Sequence, residues 1–170
     1  MIRTILRYNH RLLRMKAKPI LEITDREKEL ARDLIETMIA SHGVGLAATQ
    51  IGEMVRMFVI CDEVVRPDGE VELGPPEVLI NPKLSHPSEE LETRSEGCLS
   101  LPKLYLDIER PHRIQIVYHT LEGKIIEEHP QGFRARVMMH ENDHLNGVLI
   151  IDRVSPQEKK RIAPLLREML

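Results

Sequence analysis

The stretch His140-Glu141-Asn142-Asp143-His144 constrains this chain more than any other. Two histidines four residues apart share a face only if the segment is helical. On that face they can hold one metal ion, with Glu141 beside it as a proton carrier. Val137, Met138 and Leu145 supply apolar positions for the helix, and Gly147 is placed to stop it. Read without a metal, the same letters describe an ordinary helix with two surface histidines. A catalytic metal site needs a third protein ligand and an open fourth position. Another part of the chain must therefore be folded against this helix.

The sequence offers that part at Glu96-Gly97-Cys98-Leu99-Ser100-Leu101-Pro102. Cys98 follows a glycine inside a polar stretch, which explains it poorly as core filling. A thiolate is a strong ligand for soft and borderline metals, so Cys98, His140 and His144 form the expected ligand set, with water in the fourth place. Cys61 ends the apolar run Met57-Phe58-Val59-Ile60 and reads as a buried strand thiol. Two cysteines make no disulfide framework. His10, His42, His86, His112, His119 and His129 lack ligand spacing and default to the surface.

The 170 residues suit one domain, residues 1–170. Thr24-Asp25-Arg26-Glu27 is a capping box, followed by an apolar stripe at Leu30, Leu34 and Met38 that predicts a helix ending near Gly43. The small residues from Gly43 to Gly52 read as a tight loop, and a G-x-G-x-x-G fingerprint fails at Ala48. Strands are predicted over 56–62, over 78–80 with closure at Asn81-Pro82, and at the alternating Leu104, Leu106 and Ile108. Residues 113–120 and 124–129 read as a hairpin about Gly123, and Pro67-Asp68-Gly69 as a turn. Ser155-Pro156 opens a tail helix that Pro164 is expected to kink or to end one residue earlier. Runs of strands with separate helices indicate an α+β fold.

The 24 Lys and Arg against 27 Asp and Glu leave a net charge of -3, which gives no drive toward DNA or an anionic membrane. No Trp, three Tyr and two Phe make base-stacking platforms a poor expectation. No apolar run approaches transmembrane length and no signal peptide is visible, so a cytoplasmic location is expected.

Three motifs, in this order, resemble those of the peptide deformylase family: Gly43-Val44-Gly45-Leu46-Ala47-Ala48-Thr49-Gln50, Glu96-Gly97-Cys98-Leu99-Ser100, and His140-Glu141-Asn142-Asp143-His144-Leu145-Asn146-Gly147. The resemblance spans nearly the whole chain. It implies an enzyme that removes the N-formyl group from nascent formyl-methionyl polypeptides. It implies antiparallel β-sheets wrapped around a central metal-binding helix, flanked by an N-terminal and a C-terminal helix. Fe(II) is the implied native metal, with Zn(II), Ni(II) or Co(II) able to occupy the site. Carried onto this chain, the motifs make Glu141 the base, Gln50 and the Leu99 backbone the donors to the developing oxyanion, and Cys98, His140 and His144 the ligands. Val44, Gly45, Val137 and Glu96 fall on the substrate side, and Glu96 is also a candidate to pair with Arg110 beside the Cys98 loop. The family's tail helix implies a transient ribosome contact, for which Lys159, Lys160, Arg161 and Arg167 offer charge. The chain departs from the family pattern at Met139 (commonly Gln), Thr49 (commonly Pro), Tyr8-Asn9-His10-Arg11 (often Pro-Asp-Pro) and Tyr105, near a substrate-binding Arg of some members.

An H-E-x-x-H metallopeptidase is the nearest alternative. Its third ligand is usually a Glu or His downstream, where residues 148–170 hold no His and Glu158 and Glu168 both lie in the predicted tail helix. A binder without turnover is the other, and it would have no use for Glu141.

Overall fold

The computed structural model describes residues 1–169. The first helix, α1 (Asp25–Ala40), begins as its capping box predicts. Thr24 accepts from the Arg26 N–H, and the Glu27 carboxylate accepts from the Thr24 N–H at 2.9 Å. It closes with the Gly43 N–H on the Met38 carbonyl at 3.0 Å and the His42 N–H on Ile39, a Schellman arrangement. The left-handed residue is His42, at φ 56°, rather than Gly43. Gly43 instead makes room for Leu99, whose Cδ1 would lie 2.8 Å from an added Cβ.

A five-stranded antiparallel sheet carries the core. It is built from β1 (Gly45–Ala47), β2 (Met57–Ile60), then β3 (Glu63–Val65) and β4 (Val71–Leu73) as a separate exposed hairpin, and β5 (Glu77–Ser85). After the hairpin β6 (Leu91–Cys98) and β7 (Leu101–Pro111), the sheet is completed by β8 (Gln115–His119) and β9 (Ile125–Glu128). The sheet order is β1-β2-β5-β8-β9, which leaves β1 at an edge. The Gly45–Ala47 segment is thus a short strand, where the sequence suggested only a loop.

The strand at 78–80 does not close at Asn81-Pro82; β5 continues to Ser85. A register shift between Ile80 and Lys83 accommodates the proline, which has no N–H to offer a ladder. Asn81, at φ 50°, turns its amide outward to exchange hydrogen bonds of 2.8 and 2.7 Å with the Ile20 backbone.

The helix α2 (Gly132–Leu145) carries the H-E-x-x-H stretch and ends as expected, with Gly147 at φ 74° just beyond. Ala135, Val137, Met138, Met139 and Leu145 pack into one cluster with Phe58, Ile60, Leu79, Ile116 and Tyr118 of the sheet. Burying one such side chain contributes about 1.5–3 kcal/mol, and Phe58→Ala would cost about 3–5 kcal/mol. The hairpin β6–β7 shares no ladder with the five-stranded sheet. Its strand β7 buries Leu104, Leu106 and Ile108 in alternation, as read, against Leu13, Leu149, Ile150 and Ile162.

The last helix, α3 (Pro156–Glu168), runs through Pro164, so it does not end one residue before the proline. A proline inside a helix costs about 3 kcal/mol. Beyond it, Leu166 and Met169 pack on the β7 cluster, and the Tyr8 hydroxyl donates to the Leu166 carbonyl at 2.7 Å. The N-terminal arm crosses the molecule as a strap. Its Leu6 N–H reaches the Gln50 carbonyl at 2.8 Å, Tyr8 N–H reaches Ser100 at 3.0 Å, and Ala17 N–H reaches Leu145 at 2.9 Å. It passes so near Gly147 that a Cβ there would lie 2.5 Å from the Arg14 carbonyl oxygen. No helix among the described residues is long and apolar enough to cross a membrane.

Candidate active site

The helix α2 projects His140 and His144 from adjacent turns, their rings 5.1 Å apart at 62°. The turn from β6 into β7 brings Cys98 to them. Ligand atoms of Cys98, His140 and His144 all lie within 4.8 Å of one another, and Cys98 Sγ is 3.3 Å from His144 Nε2. Donors around one tetrahedral ion sit about 3.3–3.8 Å apart for bonds of about 2.0–2.3 Å, so the set suits a single ion. The Nδ1 of His140 is taken by Glu96 at 2.9 Å, which leaves Nε2 for a metal. His144 Nδ1 and Glu141 Oε2 are buried without a protein partner. Burial, with repulsion from His140 and Arg110, pushes His144 well below its ordinary pKa, toward the neutral ligand form. Burial also disfavours charge on His140, but its hydrogen bonds to Cys98 and Glu96 outweigh that and raise its pKa well above the ordinary value. A metal here must displace a proton.

Glu141 is 3% exposed. Burial raises its pKa to about 7, aided by Glu96 and opposed by His140. A carboxyl poised there can take up and release a proton near neutral pH. Gly45 lies against it, and an added Cβ would sit 2.5 Å from Glu141 Oε1. Gln50 is 1% exposed, with its Oε1 anchored by the Ala47 N–H at 3.0 Å. That fixes its Nε2 toward Ser100 Oγ at 3.1 Å and Cys98 Sγ at 3.8 Å. Val44, Val137 and Phe133 give apolar wall to a cavity of about 550 Å³ that also reaches Gln50, Cys98 and Glu141.

A buried ion network holds these parts. Glu96 accepts from Arg110 at 2.7 and 3.0 Å and from Arg136 at 2.6 Å, besides His140. Burial alone would raise the Glu96 pKa; hydrogen bonds from His140 and Arg110 hold it well below the usual carboxylate range. Arg110 also donates to Asp143 at 2.9 Å, and Arg153 clasps the same carboxylate at 2.7 and 2.6 Å.

The family model "Polypeptide deformylase" matches residues 2–160. The chain belongs to the polypeptide deformylase family. A peptide deformylase of Nitrobacter hamburgensis is 41% identical over 162 residues, which are 95% of this chain and 91% of the relative. The crystal structure of the deformylase from Ehrlichia chaffeensis superposes with a TM-score of 0.90 at 30% identity, covering 99% of this chain and 97% of that one. A class I type b peptide deformylase from Acinetobacter baumannii, bound to Met-Ala-Ser, gives a TM-score of 0.83 at 30% identity, over 91% and 99% of the two chains. The mixed helical and antiparallel architecture is the deformylase fold, and deformylases are metal-dependent hydrolases that remove N-formyl groups from new polypeptides.

Of the site residues read from the sequence, all but His144 line the one cavity, and His144 adjoins it through Cys98, 3.3 Å away. Glu96, expected on the substrate side, reaches the wall with both carboxylate oxygens already taken by Arg110, Arg136 and His140. The Glu96–Arg110 pair is real and buried. The sequence reading missed Arg136 and Ser100, which touch Glu96 and Gln50. An arginine on the inward face of the ligand helix, one turn before His140, was the available signal for the first. Met139 packs into the core cluster of the sheet. Tyr105 is 70% exposed on the cavity rim, its ring laid over Gly97, where an added Cβ would meet Cε1 at 2.8 Å. Of the six histidines assigned to the surface, four are exposed, while His112 and His119 are half-buried.

Proposed function

We propose that this chain hydrolyses the formyl–nitrogen bond of N-formyl-methionine at the start of nascent polypeptides, with Cys98, His140 and His144 as metal ligands. The observation that carries this reading is the meeting of those three donors with a buried, unpartnered Glu141 oxygen in one cavity. The bound ion would lower the pKa of its water and polarise the formyl carbonyl. Glu141 receives the proton of the attacking water and passes it to the leaving amine, so that formate and a free amino terminus result. As the formyl carbon becomes tetrahedral, its oxygen gains charge, which Gln50 Nε2 and the Leu99 N–H stabilise. The Gln50 amide is preorganised for this by its anchor on Ala47.

The methionine side chain lies in the apolar pocket near Val44 and Val137, which contributes about 1.5–3 kcal/mol, roughly one to two decades of specificity. Gly45, on the free edge of β1, passes the peptide backbone close to Glu141. We assign Glu96 to orienting His140. Fe(II) is our choice of native metal; Zn(II), Ni(II) or Co(II) suit the same Cys-His-His set. We further read the antiparallel sheets as wrapping α2, with residues 1–170 as one domain working in the cytoplasm, where nascent chains emerge. The exposed Lys159, Lys160, Arg161 and Arg167 of α3 suit a transient contact with the ribosome. With a net charge of -3, DNA is not a partner.

A small panel tests the activity. Formyl-Met peptides should react far faster than acetyl-Met peptides, and faster than formyl-Gly or formyl-Asp peptides, with internal bonds left intact. Equal rates on formyl and acetyl substrates, or cleaved internal bonds, would refute it.

A further inference from the structure

We propose that Arg136 is a positioning residue that fixes the hairpin carrying Cys98 against the helix carrying His140 and His144, and so governs how firmly the site keeps its metal. The inference rests on the metal-ligand reading above.

The two halves of the ligand set ride on different elements. Cys98 closes β6, and the β6–β7 hairpin shares no ladder with the main sheet. Its backbone meets α2 just past β7, where the Gly132 N–H reaches the His112 carbonyl at 2.9 Å, at the end of the hairpin away from Cys98; nearer Cys98, side chains tie it to the helix. Arg136, 6% exposed, does so on both strands at once. It donates to the Glu92 carbonyl of β6 at 2.6 Å, to the Ile108 carbonyl of β7 at 2.9 Å, and to Glu96 Oε2 at 2.6 Å. A planar guanidinium with three acceptors in a fixed fork defines an orientation as well as a distance. Lysine, a flexible point charge, cannot reproduce it.

Arg136 stands one turn before His140, and Glu96 is shared between them, so a shift at Arg136 reaches both Cys98 and His140. Arg110 on β7 reaches Asp143, giving a second tie near the far end of the ligand stretch. With Arg136 removed, the hairpin keeps the Arg110–Asp143 tie, the Glu96–His140 hydrogen bond and the Tyr8 N–H on the Ser100 carbonyl, but it loses the fork that joins both strands to α2, and Cys98 can shift against the imidazoles. Arg134, on the same helix, provides the contrast. It pairs with Glu77, Glu128 and Asp62, which belong to the main sheet and its border, and it touches nothing on the hairpin.

The test uses full-length protein loaded with Co(II). The rate at which a chelator strips cobalt is measured for the parent, Arg136→Met, Arg136→Lys, Arg134→Met and Cys98→Ala, alongside the thiolate-to-cobalt absorption band and the melting temperature. Loss of a residue that orients metal ligands typically costs 10–100-fold in affinity. Arg136→Met should release cobalt about tenfold or more faster with an altered thiolate band, and Arg136→Lys should fall between it and the parent. Arg134→Met should melt earlier yet release cobalt at nearly the parental rate. If Arg136→Met does not fold, Arg136→Lys carries the test by its release rate alone. Parental release from folded Arg136 variants overturns the proposal. Equal acceleration by Arg134→Met also overturns it, by reducing Arg136 to general stability. Cobalt held as firmly by Cys98→Ala as by the parent would refute the ligand assignment itself, a separate failure.

Discussion

Replacing Gly45 with alanine should disable catalysis without replacing a ligand or an acid. Gly45 lies in the extended strand β1, where alanine meets no backbone strain. The added methyl would lie 2.5 Å from Glu141 Oε1, 2.9 Å from its Cδ and 3.0 Å from its Cγ. Ordinary contact begins near 3.4 Å, so the carboxylate must retreat by about 0.9 Å, and its burial leaves few places to go. A misplacement of about 1 Å costs about 100-fold in rate, or about 2.7 kcal/mol of barrier. Overpacking would also lower stability by about 1–3 kcal/mol, so folding must be checked by circular dichroism first. The assay is kcat/KM on a formyl-Met tripeptide, with bound metal measured on the same sample. The expected result is full metal, a folded chain and turnover reduced about 100-fold, close to that of Glu141→Gln. Turnover within about threefold of the parent at full metal would show that Glu141 does not act from the place it occupies here.

Glu141→Gln itself should retain metal and lose two or more orders of magnitude in rate; normal turnover would remove Glu141 from the mechanism. Cys98→Ala should lose metal affinity sharply while Cys61→Ala, a change of a buried thiol remote from the ligand set, should not; equal metal content in the two would sink the assignment. Tyr118 is buried and donates to Glu128 at 3.0 Å, so burial first, then the nearby carboxylate, raises its pKa to about 12. The folded state thus holds this proton beyond the unfolded value of about 10, and the stability it adds below that pH is lost as pH climbs through 12. The urea midpoint of the parent should fall toward that of Tyr118→Phe between about pH 10 and 12, and a constant gap would contradict the shift.

The metal helix, the α1 cap and the β7 alternation were legible because each rests on local spacing that burial then enforces. The strand β6 was not, because Leu91–Cys98 is mostly exposed and polar and its pairing is dictated by β7. The passage of β5 through Asn81-Pro82 depends on a partner in the arm, Ile20, 61 residues away. Pro164 misled as a helix end because its penalty is local while the contacts beyond it, from Tyr8 and the β7 cluster, are distant in sequence. In the site, residue types and order pointed to the three donors that the fold brings together, Cys98, His140 and His144. The three-acceptor geometry of Arg136 could not be read from a single chain of letters.

The strap formed by the N-terminal arm bears on how such a molecule comes into being. Its backbone grips the carbonyls of Gln50, Ser100 and Leu145, one in each of the three motif segments. Residues early in this sequence are thus joined to residues far along it, and every one of those bonds closes a long loop. Loop closure is charged in entropy before any contact rewards it, and chains dominated by such pairings fold slowly. Refolding should therefore lag behind that of a helical bundle of equal length. Amide protons of Leu6, Tyr8 and Ala17 should gain protection from exchange late, together with the catalytic cavity, rather than with α1 beside them in the sequence. Deleting the strap would leave Cys98, His140 and His144 in the chain and yet take away the backbone bonds that tie their three segments together.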